Sequence, residues 1–428
     1  MAKPKLALIP STVGGSVYSV LPSNGDGDFD FSRASAATRI NAQGLIETVA
    51  VGDNRLNYPL LDGRVQTCPH LLLEPQRTNL FTYSEDFTNA YWSNTRIETP
   101  YIADVISPTG ELNAYTLEIS SGEVNGGGVY KTGLSITGDN SWSVFAKKKT
   151  ANYLVLGDTG LDGSRSAVYF NLSNGTIGSE YQNATGEMQD FGNGWYRCTM
   201  KYNLTSSGNK FIYLSNADGT ISGGVQGGDS IYIYAAQFEQ GSYPTSYIVS
   251  NSGSATTRLA EVCNGSGNAS TFNDSEGVLF AQIGALANDG NRYIALTNGV
   301  ANSYTIRILY QNETGYVFFQ KYVNGVRTTN LSTSIITPNN SNKIAIRYNS
   351  TSIDVWLNGL SILTNSDTNV IPLNTLNVLA FDNGSLPFYG KTKQLQYFDS
   401  ALTDSELETL TSWMSFSDMA IDLNYTIQ

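Results

Sequence analysis

The feature that most restricts this chain is its punctuation. Short runs of β-branched and aromatic residues recur at roughly ten-residue spacing, broken by Asn-Gly, Asp-Gly and Gly-Gly steps. Between Leu80 and Ile248 the runs are Ala114–Ile119, Ser141–Lys147, Tyr153–Leu156, Ala167–Leu172, Trp195–Tyr202, Phe211–Ser215 and Ser230–Phe238, with turn signals at Asn174-Gly175 and Asn193-Gly194. In Ser141–Lys147, Trp142, Val144 and Ala146 share one face while Ser141, Ser143 and Lys147 share the other, the pattern of a half-buried antiparallel strand. A second series runs from Gly277 to Phe398. There Asn324-Gly325 separates Val317–Val323 from Val326–Leu331, and Asn358-Gly359 separates Ile353–Leu357 from Leu360–Leu363. Each Asn-Gly supplies the two positive-φ residues of a type I′ hairpin turn. One short helix is predicted at Thr403–Met414. Thr403 caps it, Glu406 completes a capping box, and Leu407, Leu410 and Trp413 fall at helical spacing.

Composition agrees. Charged residues make up only 14% of the 428, and Gly (41), Tyr (26) and Phe (17) stand in their place, so long Lys- and Glu-rich surface helices are excluded. The expected class is all-β: two antiparallel β-sandwiches, a jelly roll of roughly eight to ten strands and then a second sandwich. The expected organisation is an irregular arm (1–80), the jelly roll (81–250), a small-residue polar linker (251–275), and the second sandwich with its C-terminal helix (276–428). The arm carries short apolar pieces at Lys5–Ile9, Val17–Leu21, Leu45–Val51 and Leu71–Leu73 but no run that builds a core. It is expected to dock on another surface, most simply identical neighbours in a homo-oligomer, with a trimer favoured, and to be removable without unfolding the rest.

The net charge is 25 − 37 = −12. An acidic chain gains nothing from phosphate neutralisation, so neither nucleic acid nor an anionic membrane is an expected partner. The apolar stretch before Pro10 is too short for a signal peptide, and no run suits membrane insertion, so a cytoplasmically made, unexported product is expected. Cys68, Cys198 and Cys263 are too scattered for a disulfide framework or a zinc site, and no cofactor or metal is expected. His70 is the only histidine and sits beside no nucleophile motif. No Asp/Glu pair falls in a recognisable glycosidase motif, so catalysis is not expected. The stretch Asp158–Gly163 lacks the terminal Glu of a calcium loop and reads as a turn.

Three stretches carry a resemblance. YSVL (Tyr18–Leu21), DFDFSRASAATRINAQGLIETVAVGDNRLNY (Asp28–Tyr58), CPHLLLEPQRTNL (Cys68–Leu80) and SEDFTNAYW (Ser84–Trp92) resemble the N-terminal module of bacteriophage virion and tail-fibre-like proteins. GNGWYRC (Gly192–Cys198) and IYIYAAQFEQGSYPTSYI (Ile231–Ile248) look like the closing strands of the carbohydrate-binding jelly roll that follows this module. The hairpin Ile353–Leu363 with QLQYFDSALTDSELETL (Gln394–Leu410) is similar to the end of concanavalin A-like, laminin-G-like lectin sandwiches. The resemblance implies a structural protein exposed on a phage particle, with other virion proteins and a host-surface glycan as partners. A purely architectural protein and a polysaccharide depolymerase are its rivals.

Sugar binding needs aromatic faces for pyranose C–H groups and amides or carboxylates for hydroxyls. The candidates are Tyr153, Trp195, Tyr213, Tyr232 and Tyr234, with Gln237 and Asp158, in the first sandwich, and Trp356 in the second. The alternative for every ring is that it fills a core. In Ser230–Phe238, strict alternation puts Ile231, Ile233 and Ala235 inward and Tyr232, Tyr234 and Ala236 outward. The two tyrosines are then an exposed pair about 7 Å apart.

Overall fold

The computed structural model describes residues 3–10, 17–20, 29–99, 101–134, 136–159, 166–204, 208–288, 290–311, 315–334, 337, 339–381 and 386–414; of 17–20 and 204 only the backbone is described. Residues 160–163 of the Asp-Gly turn lie outside this set.

The hairpins form where Asn-Gly demands them. Asn324 and Gly325 take φ 49° and 79°, and Asn358 and Gly359 take 51° and 87°. They join Val317–Val323 to Val326–Thr333 and Ser352–Leu357 to Leu360–Ser366. The chain is all-β, as expected, with the one described helix at Asp404–Thr411. The capping box closes as the spacing predicts: Thr403 Oγ1 accepts from Glu406 N, and the Glu406 carboxylate accepts from Thr403 N.

The first sandwich packs two six-stranded sheets. One runs in the order Ala103–Ile106, Leu112–Glu118, Ser230–Gln240, Gly138–Lys148, Trp195–Leu204, Thr185–Asp190. The other runs Ser93–Thr95, Gly128–Leu134, Gly208–Ser215, Tyr153–Asp158, Ser166–Asn171, Thr176–Tyr181. Trp142, Val144 and Ala146 meet Leu154, Leu156, Val168 and Phe170 in the core between them. The second sandwich sets a nine-stranded sheet against a five-stranded one.

The first 80 residues do not stand apart as an arm. Leu6–Pro10 pairs antiparallel with Gly390–Phe398 through Leu6↔Tyr397 and Leu8↔Leu395. His70–Leu73 continues along the same strand edge through Leu71↔Thr392 and Leu73↔Gly390. Leu6, Leu8, Leu71 and Leu73 are 0–2% exposed and share a core with Leu279, Ile283, Ile294, Ile308 and Phe319. Burying each such side chain contributes about 1.5–3 kcal/mol. The N-terminal segment therefore completes the C-terminal sandwich, and the first sandwich is inserted between its two halves. The apolar side chains Leu6, Leu8, Leu71 and Leu73, expected to need a neighbouring subunit, are buried by the chain itself; the side chains of Val17–Leu21 lie outside the described set.

The polar stretch 251–275 is likewise no free linker. Thr256–Arg258 pairs with Arg77–Asn79, and Val262–Asn264 pairs with Asp30–Ser32. Between these ladders lies a buried ionic clasp. Glu261 binds Arg33 at 2.9 Å and also Arg55, while Glu74 binds Arg55 at 2.8 Å and Arg258 at 2.6 Å. These side chains are 0–4% exposed, and the two arginines hold the Glu74 carboxyl far below the usual range despite its burial. Arg33, Arg55 and Glu74 all lie in the stretches that carry the phage resemblance, so the structural role of those stretches is to bolt the N-terminus to the junction.

Candidate functional site

Each sheet of the first sandwich has an outer face, and the two faces have different fates. On the sheet containing Ser230–Gln240, the outer face carries Phe145, Trp195 and Tyr234 and is capped by Tyr247 and by Ile46 from the N-terminal segment. Four of the sequence candidates fall on or beside this covered face. Trp195 is buried and donates from Nε1 to Ile106 O at 3.1 Å. Tyr234 is 1% exposed and donates to Glu85 Oε1 at 2.6 Å. Tyr232 is half-buried with Lys149 Nζ 5.7 Å above its ring. Gln237 is buried, its Oε1 accepting from Ile248 N at 2.6 Å and its Nε2 donating to Glu239.

The expected exposed tyrosine pair is thus corrected. Ile231 and Ile233 do face the core and the tyrosines do face away, but their side is roofed by other parts of the chain. Alternation also breaks at Ala235, whose φ is 49°. Val144 pairs with Ala236 and Phe145 with Tyr234, so Ala235 bulges out beside Tyr234 and Ala236 turns into the core. Strict alternation predicted the reverse for both alanines.

Two further candidates are interior. Asp158 points between the sheets and pairs with the buried Lys210 at 3.0 Å. Trp356 leaves the core face of its strand, as predicted, but packs with Val278, Phe280, Ala345, Phe398 and Leu407 beneath the helix.

Among the described residues no such roof covers the other sheet's outer face. Tyr153 and Tyr213 stand on it, joined by Tyr130, Tyr169, Tyr181 and Phe211, which the sequence reading missed. The registers arrange them in rows. One row places Tyr213, Val155 and Tyr169 side by side, and the next places Tyr130, Phe211, Gly157, Ala167 and Tyr181. Gly157 and Ala167, the smallest groups of that row, lie between the Tyr130–Phe211 pair and Tyr181. Ring centroids of Tyr130 and Phe211 are 5.4 Å apart, those of Phe211 and Tyr213 5.3 Å, and those of Tyr169 and Tyr181 6.2 Å. Tyr169 and Tyr213 are buried by their neighbours, and burial pushes the Tyr213 hydroxyl up to about 12. Tyr130, Tyr153, Tyr181 and Phe211 remain half-exposed.

Polar groups edge this surface. Tyr153 Oη accepts from Asn171 Nδ2 at 3.3 Å, and beside Tyr153 in the chain the backbone N of Asn152 donates to Asn216 Oδ1 at 2.9 Å. At the opposite rim Tyr181 donates to Gly219 O at 3.1 Å, and Ile221 of the same loop packs on the rings. The missed signal was legible: in Phe211–Leu214 aromatic and aliphatic residues alternate, so both faces are apolar but only one is aromatic. Among the described residues no group of three or more His, Cys, Asp or Glu could hold a metal ion.

No family model matches the chain, and no curated protein matches it. Among solved structures it is similar to the CBM40 module of a Ruminococcus gnavus IT-sialidase, at 17% identity over 35% of this chain and 93% of that one, with a TM-score of 0.28. A heptameric SAP-like pentraxin from Limulus polyphemus gives 15% identity, 33% and 71% coverage, and a TM-score of 0.27. Domains LG4-5 of the mouse laminin alpha1 chain give 8% identity, 71% and 92% coverage, and 0.23. The class assignment rests on the sheets and registers above: a protein of two antiparallel β-sandwiches, one with an open aromatic face.

Proposed function

We propose that this is a non-enzymatic structural protein of a bacteriophage particle that adheres to host-surface glycan through the tyrosine face of its first sandwich. The observation that carries the reading is the contrast between the two outer faces, one roofed and one left open with half-exposed rings rimmed by asparagines. Such rings stack on sugar C–H faces, and neighbouring amides serve the hydroxyls. The phage setting and surface location rest on the resemblance of Asp28–Tyr58 and Cys68–Leu80. A homo-oligomer, with a trimer favoured, rests on that resemblance alone. The non-enzymatic reading rests on the sequence, in which no Asp/Glu pair falls in a recognisable glycosidase motif.

Each stacking contact contributes about 0.5–1.5 kcal/mol, so a single face binds weakly and gains strength by repetition on a particle. On a glycan array, Tyr130→Ala with Tyr153→Ala should abolish binding while the melting temperature moves by only a few degrees. Wild-type protein that binds no glycan, or a double variant that binds equally well, would defeat this reading and favour a purely architectural role.

A further inference from the structure

A second site lies where the three parts of the chain meet. A cavity of about 660 Å³ is walled by the N-terminal segment, the roofed sheet of the first sandwich and the second sandwich. That is within the size range of small-ligand sites. Its charges do not balance. Glu74 is taken by Arg55 and Arg258, and Glu187 by Lys201 at 3.2 Å, while Arg39 is taken by Glu47 at 2.6 Å.

Two of the lining cations, Arg197 and Lys391, have no carboxylate in ion-pair range among the described residues. Arg197 is buried and gives Nε and Nη2 to Ser143 Oγ at 3.1 and 3.0 Å. Lys391 is exposed and lines the cavity, with neither a hydrogen-bond nor an ion-pair partner among the described residues. Its ammonium is held below the usual value, chiefly by desolvation, with Glu187 and Glu74 opposing the shift and Lys393 adding to it. In a chain of net charge −12, a cavity lined by a buried arginine without a carboxylate partner and by an exposed lysine suits an anion. The remaining walls include the rings of Tyr58 and Tyr243, the latter with Arg77 5.3 Å from its centroid, and the amides of Gln189 and Asn340; Asn57 is engaged by Ile40 N and His70.

We propose that this cavity binds an acidic saccharide, its oxyanion held by Lys391 and Arg197 and its ring by the tyrosines and amides of the walls. The site is separate from the open tyrosine face and takes a different class of sugar. The oxyanion can be the carboxylate of a uronic acid or the sulfate of a sulfated sugar, and both share this recognition.

Calorimetry on the full chain tests it with four probes: a digalacturonate, a sulfated disaccharide, neutral lactose and inorganic phosphate. One or both acidic sugars should bind, lactose at least tenfold more weakly. Lys391→Met should weaken the acidic sugar at least tenfold without lowering the melting temperature, since the lysine supports no protein contact, and Lys391→Arg should retain binding. Tyr130→Ala with Tyr153→Ala should leave acidic-sugar binding intact, so loss of one site is distinguishable from loss of the other. No binding of either acidic sugar, equal binding of lactose, phosphate binding as tightly as the sugars, or indifference to Lys391→Met would each overturn the proposal.

Discussion

Glu261 and Glu74 are the residues on which the junction depends most. Each accepts from two arginines out of reach of water, and removing one partner leaves the others as buried, uncompensated charges. Glu261→Gln should therefore cost about 3–5 kcal/mol, read as a fall in the urea midpoint. The Asp158–Lys210 pair behaves differently if both partners go, because no orphan charge remains. Asp158→Leu with Lys210→Met should cost far less than either change alone.

Acid sensitivity has the same origin. The folded pKa of Glu74 is depressed, so its stabilisation is present above the unfolded value of about 4.3 and is lost as pH falls below it. His70 is buried and its pKa is lowered by desolvation and by Lys391, Lys393 and Arg55, against Glu74. A depressed imidazole binds its proton more readily when unfolded, so stability also declines as pH falls below about 6.5. Urea midpoints measured from pH 7 to pH 4 should fall in two stages, and His70→Gln should flatten the first. A midpoint constant down to pH 5 in the wild type would contradict the first stage.

At the scale of elements, the strand Gly390–Phe398 is the keystone. It pairs with Gly277–Ala285 on one side and with two N-terminal strands in tandem on the other. Removing residues 1–10 would expose half of that edge and strip Leu6 and Leu8 from the core. The truncated chain should unfold at lower temperature and aggregate through the bared edge, contrary to the expectation of a dispensable arm. Leu8→Ala alone should cost about 2–5 kcal/mol, read by denaturant titration. The hairpins, capping box and alternating strands were legible because each is set by residues within a few positions of one another. The Ala235 bulge was not, since nothing local distinguishes it from its neighbour Ala236; the register against Val144 and Phe145 decides which alanine turns inward.

For the whole molecule, the insertion of one sandwich into the other makes the chain cross the junction twice, near residues 74–77 and 258–262, and the clasp ties both crossings. Limited proteolysis should leave 255–265 intact, whereas a free linker would be cut there first.

The sequence by itself determined the fold class, the turns and the helix cap, because backbone preference and side-chain period act over a few residues. It also placed Tyr153 and Tyr213 among the binding candidates, and both stand on the open face. Only the tertiary structure decided which tyrosines are covered, because the roof over Tyr234 comes from Ile46 and Tyr247, at very different distances along the chain. The partners of Arg33 and Arg55 were equally invisible: Glu261 lies 228 and 206 residues away. Burial and ion pairing depend on what arrives from elsewhere in the chain, and no local pattern encodes that arrival.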